Sequence, residues 1–238
     1  SFFGFPPRLL NKKEIRKRRN RKLYEKMEML VIDEISMVRA DMIDNMDYFL
    51  QINRNNPKPF GGVQVVFFGD LFQLPPVVST PVEHQLFQTT YDSPYFFSAQ
   101  IFNFFQMEMV ELQKTYRQES RNFIRLLDAV RVNQADYDDL EDLNERHIKD
   151  FDAEDFYITL SARNATVNSI NAKKLAQLPG PEVTFTASIS GAFQPHLYPT
   201  DSILGLRLGC QVMFIKNDPE RKFVNGTIGK GTKLTPDA

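Results

Sequence analysis

Two adjacent carboxylates, Asp33 and Glu34, directly follow the apolar run Met29-Leu30-Val31-Ile32. Burying such charges without partners costs several kcal/mol or more, so they belong at the exit of that run rather than inside a core. The carboxyl ends of parallel strands are also where α/β sheets place their ligands. In that setting an Asp can hold the Mg²⁺ of a nucleotide, and a Glu can orient or deprotonate an attacking water. The same pair would equally suit the first turn of a helix, where acids complement the dipole. Taken alone, these residues leave both readings open.

A second apolar run, Val63 to Phe68, ends in Gly69-Asp70 and continues as Leu71-Phe72-Gln73-Leu74-Pro75-Pro76. Gly69 permits a tight exit and the two prolines stiffen the chain beyond Gln73. A neutral amide on a stiff loop beside a nucleotide can touch the terminal phosphate, or its water, and register whether it is present. Polar groups mark the same kind of strand end twice. That favours a nucleotide site over a helix cap and makes Asp33-Glu34 read as a Walker B segment.

The elements that must position these residues can be read from periodicity. Arg39 to Ile52 carries Met42, Ile43, Met46, Phe49 and Leu50 at helical spacing between the two apolar runs. Strands apolar on both faces with a helix between them predict a parallel sheet covered on both sides. Lys12 to Lys26 lacks Gly and Pro and predicts an exposed, charged helix. Met107 to Leu112 and Phe156 to Leu160 predict further strands, the latter buried. Helices are expected over Glu119 to Arg131, Ala135 to His147 and Asn164 to Leu178. From Pro179 the pattern changes to short strand-like pieces, Val183 to Ala187 and Gln211 to Lys216, divided by Gly and Pro, which predicts a small β-rich unit.

Composition sets the limits. With 238 residues and a hydrophobic fraction of 42%, the chain can build one large domain or several small ones. Net charge is −1, yet Arg8 to Lys22 holds nine Lys or Arg and one acid, whereas Asp136 to Asp155 is dominated by Asp and Glu. The basic stretch makes a strong local potential for phosphates, although a solvated helix face would look the same. One cysteine, Cys210, rules out an internal disulfide framework and suits a reducing compartment. No apolar run reaches bilayer length and the start lacks a signal-peptide pattern, so a soluble, cytoplasmic protein with no membrane partner is expected. His84, His147 and His196 lie far apart with no metal spacing. The aromatic opening and the β-rich ending are what an excised piece of a longer chain would show.

The segments LVIDEISMV and FFGDLFQLPPV resemble motifs II and III of the Pif/RecD-like superfamily 1 DNA helicases, the petite-integration-frequency family. Leu112 to Gln118, LQKTYRQ, resembles their motif IV, and Ser1-Phe2-Phe3-Gly4-Phe5 the end of motif Ia. LSARNATVNSINAKKLAQLPG and LGCQVMFIKNDPERKFVNGTIGKG resemble further stretches of the same family, in its order. The resemblance implies an α/β fold of RecA-like parallel sheets with flanking helices, plus a small Src-homology-three-like β unit near the C-terminus. It implies residues 1–110 as the remainder of a first RecA-like domain with a basic wedge at about 6–22. Residues 111–178 would belong to a second such domain and 179–238 to a partial β-barrel insertion.

The roles it implies are specific. Asp33 would be the Mg²⁺ carboxylate, Glu34 the catalytic base, Gln73 the phosphate sensor, and Arg117 an arginine finger, a task suited to its planar, always-charged fork. Arg16, Lys17, Arg18, Arg19, Arg163 and Asn164 would face nucleic acid. Aromatics Phe2, Phe3 and Phe5 could stack on bases, but most of them read as core. The implied activity is ATP-dependent, 5′-to-3′ unwinding of DNA, with ATP and Mg²⁺ as cofactors and single-stranded DNA and DNA junctions as partners. DNA repair and telomere maintenance are roles the family implies.

The GxxxxGK[ST] loop that grips β- and γ-phosphates is absent from these 238 residues. Gly226-Thr227-Ile228-Gly229-Lys230-Gly231 does not match, since position 224 is Val and Gly follows Lys230. The chain by itself is therefore expected to be inactive. Two other classes stay open: a nucleic-acid-binding module that keeps the helicase shape without ATP chemistry, and a different P-loop ATPase. A GKT or GKS upstream in the full reading frame separates enzyme from binding module.

Overall fold

In the computed structural model, β1 (Met29–Ile32) and β2 (Gln64–Phe67) pair in parallel, with Met29 opposite Gln64 and Ile32 opposite Phe67. Residues 2–6, 8–151, 156–190 and 198–235 are described by the structure, and they divide into two compact units, Ser1–His147 and Ile148–Ala238. Leu30 is buried, but Met29 and Val31 remain half exposed, so among the described residues only one face of this small sheet is covered. A two-stranded sheet is marginal by itself. It holds because helix α2 (Ala40–Arg54) packs beneath it with Ile43, Phe49 and Leu50 fully buried.

The buried face of α2 also carries Asp44, Asp47 and Asn53. Each is partnered, as buried polar groups must be. Asp44 accepts from the Tyr91 hydroxyl (3.0 Å) and from the Gln100 and Ile101 amides (3.1 and 3.0 Å). Asp47 accepts from the Phe60 amide (2.6 Å). The helix thereby pins three surrounding loops. Its last residue, Arg54, donates to the carbonyls of Tyr24, Gly61 and Met27, tying the helix end to the start of β1. Asn55 in the left-handed region, at φ 50°, terminates it.

Helix α3 (Pro81–Thr89) begins with a capping box in which Thr80 and Glu83 satisfy each other's amides. Glu83 and Asp41 both pair with Arg39, the residue that opens α2, and so join the two helix starts. Burial alone would raise the Glu83 carboxyl; the Ser79 and Thr80 amides and Arg39 outweigh it and hold it at about 2. Phe3 and Phe5 join the core against Phe49, with ring centroids 5.4 and 5.7 Å away, whereas Phe2 stays half exposed.

Three expected elements do not form. Lys12 to Lys26 is not one helix: a 3-10 turn (Lys12–Glu14) is followed by extended chain and then the single turn α1 (Lys22–Lys26). Like charges three and four residues apart would repel on a helix. The extended path instead buries Ile15 and lets the Arg18 amide donate to Asn53 Oδ1 at 2.8 Å. Met107 to Leu112 and Phe156 to Leu160 form no strand, and Met109, Val110, Leu112 and Leu160 are more than three-quarters exposed. An apolar strand needs neighbours for its amides as well as its side chains, and no strand pairs with either segment among the described residues.

Within the first unit, α4 (Arg121–Arg131) and α5 (Tyr137–Asn144) follow, joined by Arg125 and Asp139. The second unit contains α6 (Asn164–Ala176) and two antiparallel pairs, β3 (Val183–Thr186) with β4 (Ile203–Leu206) and β5 (Gln211–Met213) with β6 (Ile228–Lys230). Gly226 to Gly231 thus lies on a β hairpin and not at a helix start. Among the described residues no helix is long and apolar enough to cross a membrane. His196 lies outside the described residues.

Candidate functional site

The ends of β1 and β2 are locked together beyond their last paired residues. The Phe68 amide donates to the Ile32 carbonyl at 2.8 Å, and the Ile35 amide donates back to the Phe68 carbonyl at 2.9 Å. The chain leaving β1 turns sharply through Glu34, in the left-handed region at φ 53°, into a 3-10 turn (Ile35–Met37). A non-glycine residue there stores backbone strain of roughly 1–3 kcal/mol, a cost found where function fixes the conformation. The turn fits because Gly69 has no side chain. A Cβ there would lie 2.8 Å from Ile35 Cγ2 and 2.9 Å from its nitrogen.

Asp33 and Glu34 stand exposed at this edge, and among the described residues neither has a cationic partner. Among the described residues, Asp33 Oδ1 accepts only from the Glu34 amide, at 2.9 Å. One carboxylate with a free oxygen at a solvent-open edge fits Mg²⁺, which takes one or two protein carboxylates and completes its shell with phosphate and water. A closed protein cage is not needed, and among the described residues no group of three or more His, Cys, Asp or Glu could hold an ion.

Gln73 sits on the loop leaving β2, which Asp70 organises. Asp70 Oδ1 accepts from the Phe72 amide (3.0 Å), its carbonyl accepts from the Gln73 amide (3.0 Å), and Oδ2 lies 3.4 Å from Gln73 Nε2. Arg131, at the end of α4, grips the same carboxylate with two parallel bonds, Nε to Oδ2 at 2.9 Å and Nη2 to Oδ1 at 3.0 Å. Its guanidinium also lies 4.7 Å from the Phe72 ring centroid. The Arg131 bonds, and the backbone amide after them, hold the Asp70 carboxyl below its ordinary range. The structure therefore brings Asp33, Glu34 and the Gln73 loop to one edge. Sequence reading saw Asp70 only as a polar strand end and missed Arg131, for which spacing along the chain gives no signal.

Arg117 lies on the irregular segment before α4, exposed, and among the described residues it bonds to none of Asp33, Glu34 and Gln73. The basic group divides in two. Lys17 Nζ donates to Asn55 Oδ1 (2.6 Å) and Arg18 Nη2 to the Phe3 carbonyl (2.7 Å), whereas Arg16 and Arg19 are exposed and no hydrogen bond or ion pair engages their side chains among the described residues. Arg163 and Asn164 open α6 in the second unit, both exposed.

A family model described as PIF1-like helicase matches residues 1–140. The chain is 34% identical to the ATP-dependent DNA helicase PIF1 of Emericella nidulans, across 98% of this chain and 31% of that protein. It is 32% identical to the ATP-dependent DNA helicase RRM3 of Saccharomyces cerevisiae, across 85% of this chain and 28% of that one. Among solved structures, Bacteroides Pif1 bound to single-stranded DNA superposes with a TM-score of 0.82 at 36% identity, covering 98% of this chain and 55% of the other. The Bacteroides enzyme with ADP-AlF3 and single-stranded DNA gives 0.80 at 35% identity, with the same coverage. The chain thus spans about a third of the curated relatives it matches.

Proposed function

Because the chain belongs to the PIF1-like helicase family, we propose that it is part of an ATP-dependent DNA helicase that moves 5′ to 3′ on single strands and unwinds duplexes. The observation that carries this reading is the adjacency of two strand ends, one bearing Asp33 and Glu34, the other the loop with Gln73. Solved relatives named for complexes with ADP-AlF3 and with single-stranded DNA support the same substrates.

The residues divide the work. Glu34 accepts the proton of the attacking water, and its fixed left-handed backbone keeps that carboxylate at the strand edge. Gln73 contacts the terminal phosphate and reports its loss to the DNA-gripping parts. Arg117 offers positive charge to the phosphoryl group in flight. Asp33 would hold the Mg²⁺ that accompanies the nucleotide, an ion that would supply positive charge to the phosphate oxygens. Arg16, Lys17, Arg18, Arg19, Arg163 and Asn164 hold the phosphate backbone of single strands and junctions. Residues 1–110, 111–178 and 179–238 serve as first RecA-like portion, second RecA-like portion and β-barrel insertion. The helicase works in a reducing, cytoplasmic compartment, consistent with one cysteine, and this 238-residue piece turns over no ATP by itself.

A forked duplex with a 5′ single-stranded tail tests the reading on the full-length protein. ATP-dependent strand separation on that fork, and none on a 3′-tailed one, is expected. ATP-independent DNA binding without unwinding would instead establish a non-catalytic module.

A further inference from the structure

We infer that Arg131 is a positioning residue for ATP turnover, holding the Gln73 loop in place through Asp70. This rests on the proposed ATP site. The grip has the geometry of a deliberate clamp: two parallel N–H···O bonds of 2.9 and 3.0 Å, with Phe72 against the guanidinium. Bidentate Arg–carboxylate pairs fix orientation as well as distance, which a Lys point charge cannot do. The same carboxylate accepts the Phe72 amide and touches the Gln73 side chain, so its orientation sets where Gln73 points.

The clamp also joins two parts of the site. Arg131 ends α4, and that helix, capped by Ser120, begins at Arg121, four residues after Arg117. Any movement of α4 that carries the Arg117 segment therefore pulls on the loop that carries Gln73. The pair is partly exposed, with side-chain accessibilities of 42% for Arg131 and 23% for Asp70. Its contribution to overall stability should be small, which separates positioning from folding.

The test uses the full-length protein and measures ATP hydrolysis stimulated by single-stranded DNA. Arg131→Ala should lower kcat about tenfold or more, since an ångström of misplacement is costly, while KM for ATP stays within about twofold. Arg131→Lys should recover little, because the second bond is lost. In a double-mutant cycle, Gln73→Ala with Arg131→Ala should be no slower than Gln73→Ala alone, as both changes disable one device. Normal turnover by Arg131→Ala, or losses that multiply in the double variant, would overturn the clamp while leaving the helicase reading intact. A wild-type protein without DNA-stimulated turnover would overturn the helicase reading, and the clamp with it.

Discussion

Gly69 and Ile35 touch backbone to backbone where β1 and β2 end, and a Cβ on Gly69 would sit 2.9 Å from the Ile35 nitrogen. That contact seats the turn that presents Glu34. Gly69→Ala should destabilise the chain by about 1–3 kcal/mol, the usual cost of overpacking a rigid site. It should also displace Glu34, so that full-length protein loses turnover beyond what its unfolded fraction explains. Urea titration alongside ATP hydrolysis checks both effects. Unaltered stability would mean that the turn yields and the approach of the two strands matters little.

The cluster of Arg39, Asp41 and Glu83 joins the starts of α2 and α3. All three side chains are largely buried, and removing one partner of a buried pair typically costs about 3–5 kcal/mol. Arg39→Ala should lower urea stability by that order. An exposed salt bridge would lose less than about 1 kcal/mol on the same change.

Glu83 gives that cluster a pH signature. Its folded carboxyl is held at about 2 against an ordinary 4.5. Between those values the unfolded chain binds the extra proton, so stability falls as pH drops. The gap between wild type and Glu83→Gln should be full above about pH 4.5 and close as pH falls toward about 2. A gap of constant size from pH 7 to pH 3 would contradict this assignment.

The split within the basic stretch makes a distinct prediction for DNA. Arg16 and Arg19 have no protein partner among the described residues, whereas Arg18 ties down Phe3. Arg16→Ala with Arg19→Ala should weaken binding to single strands and flatten the slope of log K against log salt by about 1.4, at about 0.7 per phosphate contact. Stability should not change. Arg18→Ala should lower stability as well as affinity, because the Phe3 carbonyl loses its donor. If the slope stays the same in the Arg16/Arg19 variant, these charges are only a solvated surface.

The strand ends were legible because local pattern decided them. Four apolar residues before Asp33, and the largely apolar run from Val63 to Phe68 before Gly69, leave few places for the charges other than the sheet edge. The capping box at Thr80 and Glu83 was equally local, with Pro81 at the first helical position, and would have located α3. What escaped depends on distant partners. Nothing near Lys17 or Arg18 reveals that Asn55 and Asn53 wait for them, so local pattern alone predicts a helix where the chain runs extended. Met107 to Leu112 and Phe156 to Leu160 have strand composition, but composition cannot say which chain will lie beside them. Asp70 and Arg131 are 61 residues apart, beyond the reach of any periodicity.

In the proposed ATP-hydrolysing site, Glu34 is the base and stands beside Asp33 and Gln73. Glu34→Gln is nearly isosteric, keeps the left-handed turn and removes only the proton acceptor. In full-length protein with single-stranded DNA, we expect ATP turnover in the wild type, a loss of about 10²- to 10⁴-fold in Glu34→Gln, and nucleotide binding retained in both. Equal turnover by the two proteins, or no turnover by the wild type, would contradict it.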